Sequence, residues 1–256
     1  MYVNQRESVP LNSRNPQPVT ITVDSERRVS GLFQAPPQAH ACYVLAHGAG
    51  AGMTHPFMTE IATGLAARGI ATLRFQFPYM EQGSKRPDPP SLAQATVRAA
   101  VAQASRLVPD TPLFAGGKSF GGRMTSQAQA ESPLAGVRGL VFLGFPLHPA
   151  GKPSDQRAAH LFAVKTPMLF LQGTRDSLAD LRLLEKLARR LGPTATLTLF
   201  DEADHSFHVP ARTDRKDSDV RMALLDALAV WIEATISKRQ LAGPPGAFTA
   251  NQTSHL

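Results

Sequence analysis

Three residues of this 256-residue chain are of the types that together make an activated nucleophile: Ser119, Asp176 and His205. Ser119 lies in Gly116-Gly117-Lys118-Ser119-Phe120-Gly121-Gly122, which contains the pattern G-x-S-x-G and follows the apolar run at residues 112–115. A serine hydroxyl attacks poorly until a base removes its proton. His205 is placed to be that base and to return the proton to the leaving group. Asp176 would hold the imidazole tautomer and stabilise the imidazolium. Asp201 and Asp204 are alternative acids, but a residue adjacent to His205 tends to point away from its ring. Asp176 also has a plain structural role open to it, as cap of a helix starting near Leu178. His208 is a weaker base candidate, beyond the turn.

A tetrahedral intermediate also needs donors for its oxyanion. The Phe120 N–H at the start of the elbow helix is one candidate. The other belongs to His47-Gly48-Ala49-Gly50-Ala51-Gly52, with Ala49 N–H preferred and Gly50 N–H second. His47 heads that loop and is a candidate substrate-binding residue. Lys118, Arg74, Arg123 and Arg175 crowd the same strand ends. They suit a carboxylate or phosphate on the substrate, or else Arg123 and Arg175 pair with Glu81 or Asp176.

Glycine loops have other uses, and these fail on detail. A phosphate-binding loop needs glycine five residues before Gly117, where Pro112 stands. The run from Gly48 to Gly52 reads G-x-G-x-G, not the dinucleotide fingerprint, and the next strand ends on Arg74 rather than an acid. His205 and His208 lack carboxylate or thiol partners at ligand spacing. No metal and no cofactor is expected.

The elements that must position these groups follow from hydrophobic period and punctuation. Strands are expected at residues 19–23, 29–34, 41–46, 70–75, 113–115, 139–144, 168–172 and 195–200. The first two read as a hairpin. Helices are expected at 55–68, from an N-cap at Ser91 to about 108, at 119–130, 178–191 and 219–236, with a loop over 76–90. Strands alternating with helices imply an α/β architecture: a mostly parallel sheet of about seven to eight strands with helices on both faces, and minimal or no lid is expected over it. Ligands in such sheets bind beyond the strands' carboxyl ends, where Ser119, Asp176 and His205 all fall. The proline-rich stretch 145–160 is expected to form a pocket rim.

Length and composition allow one domain, at residues 18–238, with a flexible arm at 1–17 and a disordered tail at 239–256. Hydrophobic content is 43% and charged content 18%, as in ordinary globular chains. The start lacks the apolar core of a signal peptide, and a cytoplasmic location is the expectation. The single cysteine, Cys42, falls in an apolar run and reads as a buried hydrophobe. The net charge is +7, but the basic residues are scattered among acids or at helix-surface spacing, so neither nucleic acid nor membrane is expected as a partner. The expected partner is a small-molecule acyl substrate, and the oligomeric state is open.

Taken jointly, these motifs resemble the α/β-hydrolase superfamily, of the dienelactone-hydrolase-like kind. The residues that carry the resemblance are 47–53, 74–81, 116–123, 145–149, 172–176 and 203–207, within about residues 19–236. Most similar is a branch of predicted hydrolases that includes a testis-expressed protein and a subunit of the non-specific-lethal chromatin complex. The resemblance implies Ser119, Asp176 and His205 as the triad and supplies no substrate. Dienelactone hydrolases proper carry cysteine where this chain has Ser119. The activity expected is that of a carboxylesterase-like serine hydrolase, cleaving an ester or related acyl bond through an acyl-enzyme. The rival is a non-catalytic interaction module that retains the fold.

Overall fold

The computed structural model describes residues 15–241. The expected arm and tail lie outside the described residues except at their inner ends, where Gln17 already opens a strand and the last helix runs on to Leu241.

The strands are β1 Gln17–Thr22, β2 Arg28–Gln34, β3 Ala41–Ala46, β4 Ile70–Phe75, β5 Leu113–Lys118, β6 Val137–Leu143, β7 Met168–Gly173 and β8 Ala195–Phe200. They form one sheet in the order β1-β2-β4-β3-β5-β6-β7-β8, antiparallel at β1–β2 and β2–β4 and parallel from β4 to β8. The helices are α1 Pro56–Ala66, α2 Pro78–Glu81, α3 Pro90–Leu107, α4 Phe120–Glu131, α5 Leu181–Leu191 and α6 Asp217–Leu241. The expected mostly parallel, two-sided α/β architecture is the one observed.

Both faces of the central strands are buried, and alternate residues serve different cores. On β3, Cys42, Val44 and Ala46 join the cluster under α3, α4 and α5, while Tyr43 and Leu45 join the cluster under α1 and α6. Burial pushes the Cys42 thiol up to about 12, so it stays an inert hydrophobe. Among the described residues no helix is long and apolar enough to cross a membrane.

Several boundaries depart from the sequence reading. β5 runs three residues past Ala115, because Gly116 and Gly117 continue the strand at φ +153° and +149°, which side-chain-bearing residues rarely adopt. Ser91 is not the cap of α3. Pro89 holds that position and Pro90 opens the helix, with φ already set and no N–H left unpaired. The expected loop 76–90 contains the short α2, again opened by proline. α5 starts at Leu181, capped by Asp180, whose Oδ1 accepts from Leu183 N at 3.0 Å. Asp176 therefore does not cap that helix.

Candidate active site

Ser119 joins β5 to α4 in a sharp turn. Its φ is +50° and ψ −113°, a strained conformation for a residue with a Cβ. The chain reverses here against β3, so neighbouring backbone leaves no room for side chains. A Cβ on Gly117 would run into the Ala46 carbonyl oxygen, and one on Gly121 would stand 2.5 Å from the His47 carbonyl oxygen. The glycines two residues before and after the serine are thus required by crowding at both positions.

Asp176 follows β7 and His205 follows β8, two and three strands across the sheet from β5. The fold brings all three together. His205 Nε2 is 2.8 Å from Ser119 Oγ, and His205 Nδ1 is 2.6 Å from Asp176 Oδ2. Asp176 is buried, and both of its carboxylate oxygens are engaged. Its Oδ1 accepts from Leu178 N at 2.8 Å, and its Oδ2 also accepts from the Gln172 amide. A buried carboxylate accepting from Nδ1 leaves Nε2 as the lone-pair nitrogen facing the serine, the tautomer a base requires. Asp204 is engaged elsewhere: its Oδ1 accepts from Ser206 N at 2.7 Å and His208 N at 3.0 Å, closing the turn that presents His205. Asp201 is exposed. His208 pairs with Asp217, Nδ1 to Oδ2 2.6 Å, and that hydrogen bond raises its pKa above the ordinary histidine value.

Gly48 and Ala49 line the cavity beside Ser119. Among the described residues no acceptor meets the N–H of Ala49 or of Phe120, whereas the Gly50 N–H faces the Tyr79 hydroxyl. His47 sets this loop. It is buried, its Nε2 accepts from Phe77 N at 3.1 Å, and its Nδ1–H therefore donates to the Gly48 carbonyl at 2.8 Å. Burial holds its pKa below the ordinary value, which suits a neutral ring bonded on both sides. In a trans peptide the N–H points opposite to the C=O, so pinning Gly48 O also turns Ala49 N–H. His47 shapes the loop from behind and does not line the cavity.

The cations expected around the substrate are mostly spent on protein. Arg74 is buried, with Nη1 donating to Met53 O at 3.1 Å and Thr59 Oγ1 at 2.8 Å. Arg175 pairs with Glu202 at 3.2 Å, and Glu81 accepts from Ser30 N, so neither makes the ion pair anticipated from the sequence. Lys118 Nζ donates to the His205 carbonyl. Arg123 has no carboxylate partner among the described residues; its Nε is buried and unbonded, and nearby Arg157 adds to burial in lowering its pKa.

A cavity of about 560 Å³ opens over Ser119. Its inner wall is apolar, from Ala51, Pro56, Phe57, Met58 and Leu178, and its mouth carries His208 with Asp217 and Arg221 with Glu60, the latter pair at 2.8 Å. The stretch 145–160 supplies none of the lining, contrary to expectation. It turns the other way, where the 3₁₀ segment Gln156–Ala163 buries Ala158 and Leu161 and His160 bonds Ser126 of α4 at 2.8 Å.

Two supporting residues were not singled out from the sequence. Gln172 accepts from Phe145 N at 2.8 Å and donates to Asp176, so both ends of its amide are committed. Its signal was present: a polar residue at a buried position in an otherwise apolar strand. Phe57, which stacks on Phe207 at 5.9 Å in the cavity wall, carried only the helical stripe of α1.

Residues 39–233 match the family model described as an alpha/beta hydrolase domain. Among solved structures, the chain is similar to dienelactone hydrolase from Anabaena variabilis, with TM-score 0.69 and 22% identity over 86% of this chain and 98% of that one. It is similar to XC6422 from Xanthomonas campestris, a serine hydrolase without a lid, with TM-score 0.66 and 22% identity over 87% and 98%. Est1E from Butyrivibrio proteoclasticus with bound ferulic acid gives TM-score 0.65 and 14% identity over 86% and 99%. At these identities the structures speak for the fold. The family match covers most of the chain, and the chain belongs to the alpha/beta hydrolase domain family.

Proposed function

We propose that the protein is a serine hydrolase that cleaves an ester of a small, uncharged acyl substrate through an acyl-enzyme. The observation that carries this reading is the continuous hydrogen-bonded series Ser119 Oγ, His205, Asp176, open on one side to a cavity. His205 takes the serine proton as Oγ attacks the carbonyl carbon, and Asp176 stabilises the imidazolium that forms. The oxyanion is received by the N–H groups of Phe120 and Ala49. His205 then protonates the departing alcohol, and water, deprotonated by the same ring, releases the acid.

The charge balance of the cavity favours a neutral substrate. Lys118, Arg221 and His208 each have an acceptor within the protein, and the inner wall is apolar. An aromatic acyl group fits against Phe57, and the ferulic acid bound by Est1E makes aromatic esters a natural part of the test panel.

The test is a fluorophosphonate probe together with a panel of aliphatic, aromatic and carboxylate-bearing esters. Wild type should label at Ser119 and turn over the neutral esters fastest, and Ser119→Ala should lose label and at least about a thousandfold in rate. Failure of folded wild type to label would overturn the enzymatic reading in favour of a non-catalytic module. Faster turnover of the carboxylate-bearing esters would overturn the assignment of a neutral substrate.

A further inference from the structure

The chemistry above leaves Lys118 unused, although it immediately precedes the nucleophile. Lys118 ends β5, paired in register with Leu143 at the end of β6. The next residue of that neighbouring strand's path is Gly144, at φ +71°. A Cβ there would stand 2.9 Å from Lys118 Nζ and 3.3 Å from His205 Nδ1. The bare glycine therefore leaves the passage through which the lysine crosses the end of β6 towards the groups that follow β7 and β8.

At the far end, Nζ donates to the carbonyl oxygen of His205 itself. It lies 5.9 Å from the Phe57 ring centroid and 5.3 Å from that of Phe207, within cation–π range of both. No carboxylate forms an ion pair with it among the described residues; Asp176 and Asp204 act on it through their field alone. An ammonium is a costly group to hold in such a place unless its charge is used.

We propose that Lys118 is a positioning residue for His205: its charged side chain ties the nucleophile strand to the loop that carries the base, and so holds the imidazole in line with Ser119 Oγ. This rests on the serine-hydrolase reading above. A hydrogen bond from an ammonium to a carbonyl is about twice as strong as one from a neutral donor, so the tie depends on the proton. Burial brings Lys118 down to about 8, with Asp176 and Asp204 opposing the shift. The tie therefore weakens within an accessible alkaline range.

The other charged groups around the cavity are His55 and Glu60 from the α1 side and His208, Asp217 and Arg221 from the α6 side. Of these, His208 is the one whose titration is raised from the ordinary histidine range, so it needs its own control.

The experiment measures the rate of fluorophosphonate labelling of Ser119 from pH 6 to 10 in wild type, Lys118→Met, Lys118→Gln and His208→Asn, with thermal melts of each. Labelling of wild type at any pH shows that the nucleophile works, which separates failure of this proposal from failure of the function on which it rests. We expect the wild-type rate to fall several-fold above about pH 8. Lys118→Met should be about tenfold slower at pH 7 and show no such fall. Lys118→Gln, a neutral donor, should lie between them, also without the fall, and His208→Asn should keep it. The proposal is overturned if a folded Lys118 variant labels at the wild-type rate or retains the alkaline fall. Loss of that fall in His208→Asn overturns it too. If Lys118→Met does not fold, Lys118→Gln decides by the same criteria.

Discussion

At the scale of single residues, the site is built from groups tied by hydrogen bonds on more than one side. Asp176 accepts from His205, Leu178 N and Gln172, and Gln172 in turn accepts from Phe145 N. The carboxylate that accepts from Nδ1 fixes the imidazole tautomer, and it yields a sharp expectation. Asp176→Asn keeps the size and the packing but presents an amide that can donate where the carboxylate only accepted. The histidine is then driven to the tautomer with its proton on Nε2, facing the serine it should deprotonate. Ester turnover at pH 7 should fall by about ten-thousandfold, with the melting temperature changed far less than the rate. Comparable losses in both would mean that Asp176 acts as a structural residue. Ser119, Asp176 and His205 were legible because each is of a reactive type and each follows an apolar run. The roles of the surrounding cations were not. Arg74 and Lys118 stand at strand ends, as a substrate clamp would, yet in the fold they donate to Met53 O, Thr59 Oγ1 and His205 O.

At the scale of elements, β3, β4 and β8 were legible to the residue because continuous or β-branched apolar runs ended in glycine or polar residues. The end of β5 was not. Gly116-Gly117 looks like a loop, and it is a strand only because its mirror-region dihedrals let the backbone press against Val141 and Ala46. Proline misled in the opposite direction, opening α2 and α3 where a loop was expected. The segment between β6 and β7 carries the clearest element-level consequence. Its 3₁₀ helix is held to α4 by His160, and burial with the neighbouring Arg123 pushes that imidazole down to about 4. The ordinary value is about 6.5. The folded state thus binds fewer protons than the unfolded state between these values, so stability present above pH 6.5 is lost as pH falls towards 4. His47, also buried and lowered, contributes in the same direction. Melting temperature should therefore drop on acidification from pH 7 to 4.5, and His160→Gln should reduce that drop without abolishing it. An unaltered pH profile in the variant would show that the segment is not held through this ring.

At the scale of the whole molecule, the parallel sheet gathers its carboxyl ends on one edge, and the covering there is thin. In this fold a lid would have to grow out of the loops on that edge. The connection between β6 and β7, which carries no α-helix, instead turns away from the cavity and buries Ala158 and Leu161 beside α4. The mouth is bounded by the start of α1, the turn after β8 and the start of α6. These are anchored in turn: Arg221 joins α6 to α1 through Glu60, and Arg68, in the turn after α1, pairs with Asp226 of α6. The expectation of a minimal or absent lid holds for the described residues, but the expectation that residues 145–160 form the rim does not, since the inward-facing period of a short 3₁₀ helix is hard to tell from loop composition. Among the described residues no element lies over this mouth and ion pairs brace its rim, so they offer no lid for a lipid surface to open. Hydrolysis of a sparingly soluble ester should accordingly rise smoothly with concentration and saturate, with no jump where the substrate begins to form micelles. The measurement is initial rate against concentration across that threshold, with a water-soluble ester of similar acyl group as reference. An abrupt rise confined to the aggregated ester would mean that part of the cavity wall moves on contact with an interface, and the braced mouth would then be the wrong description.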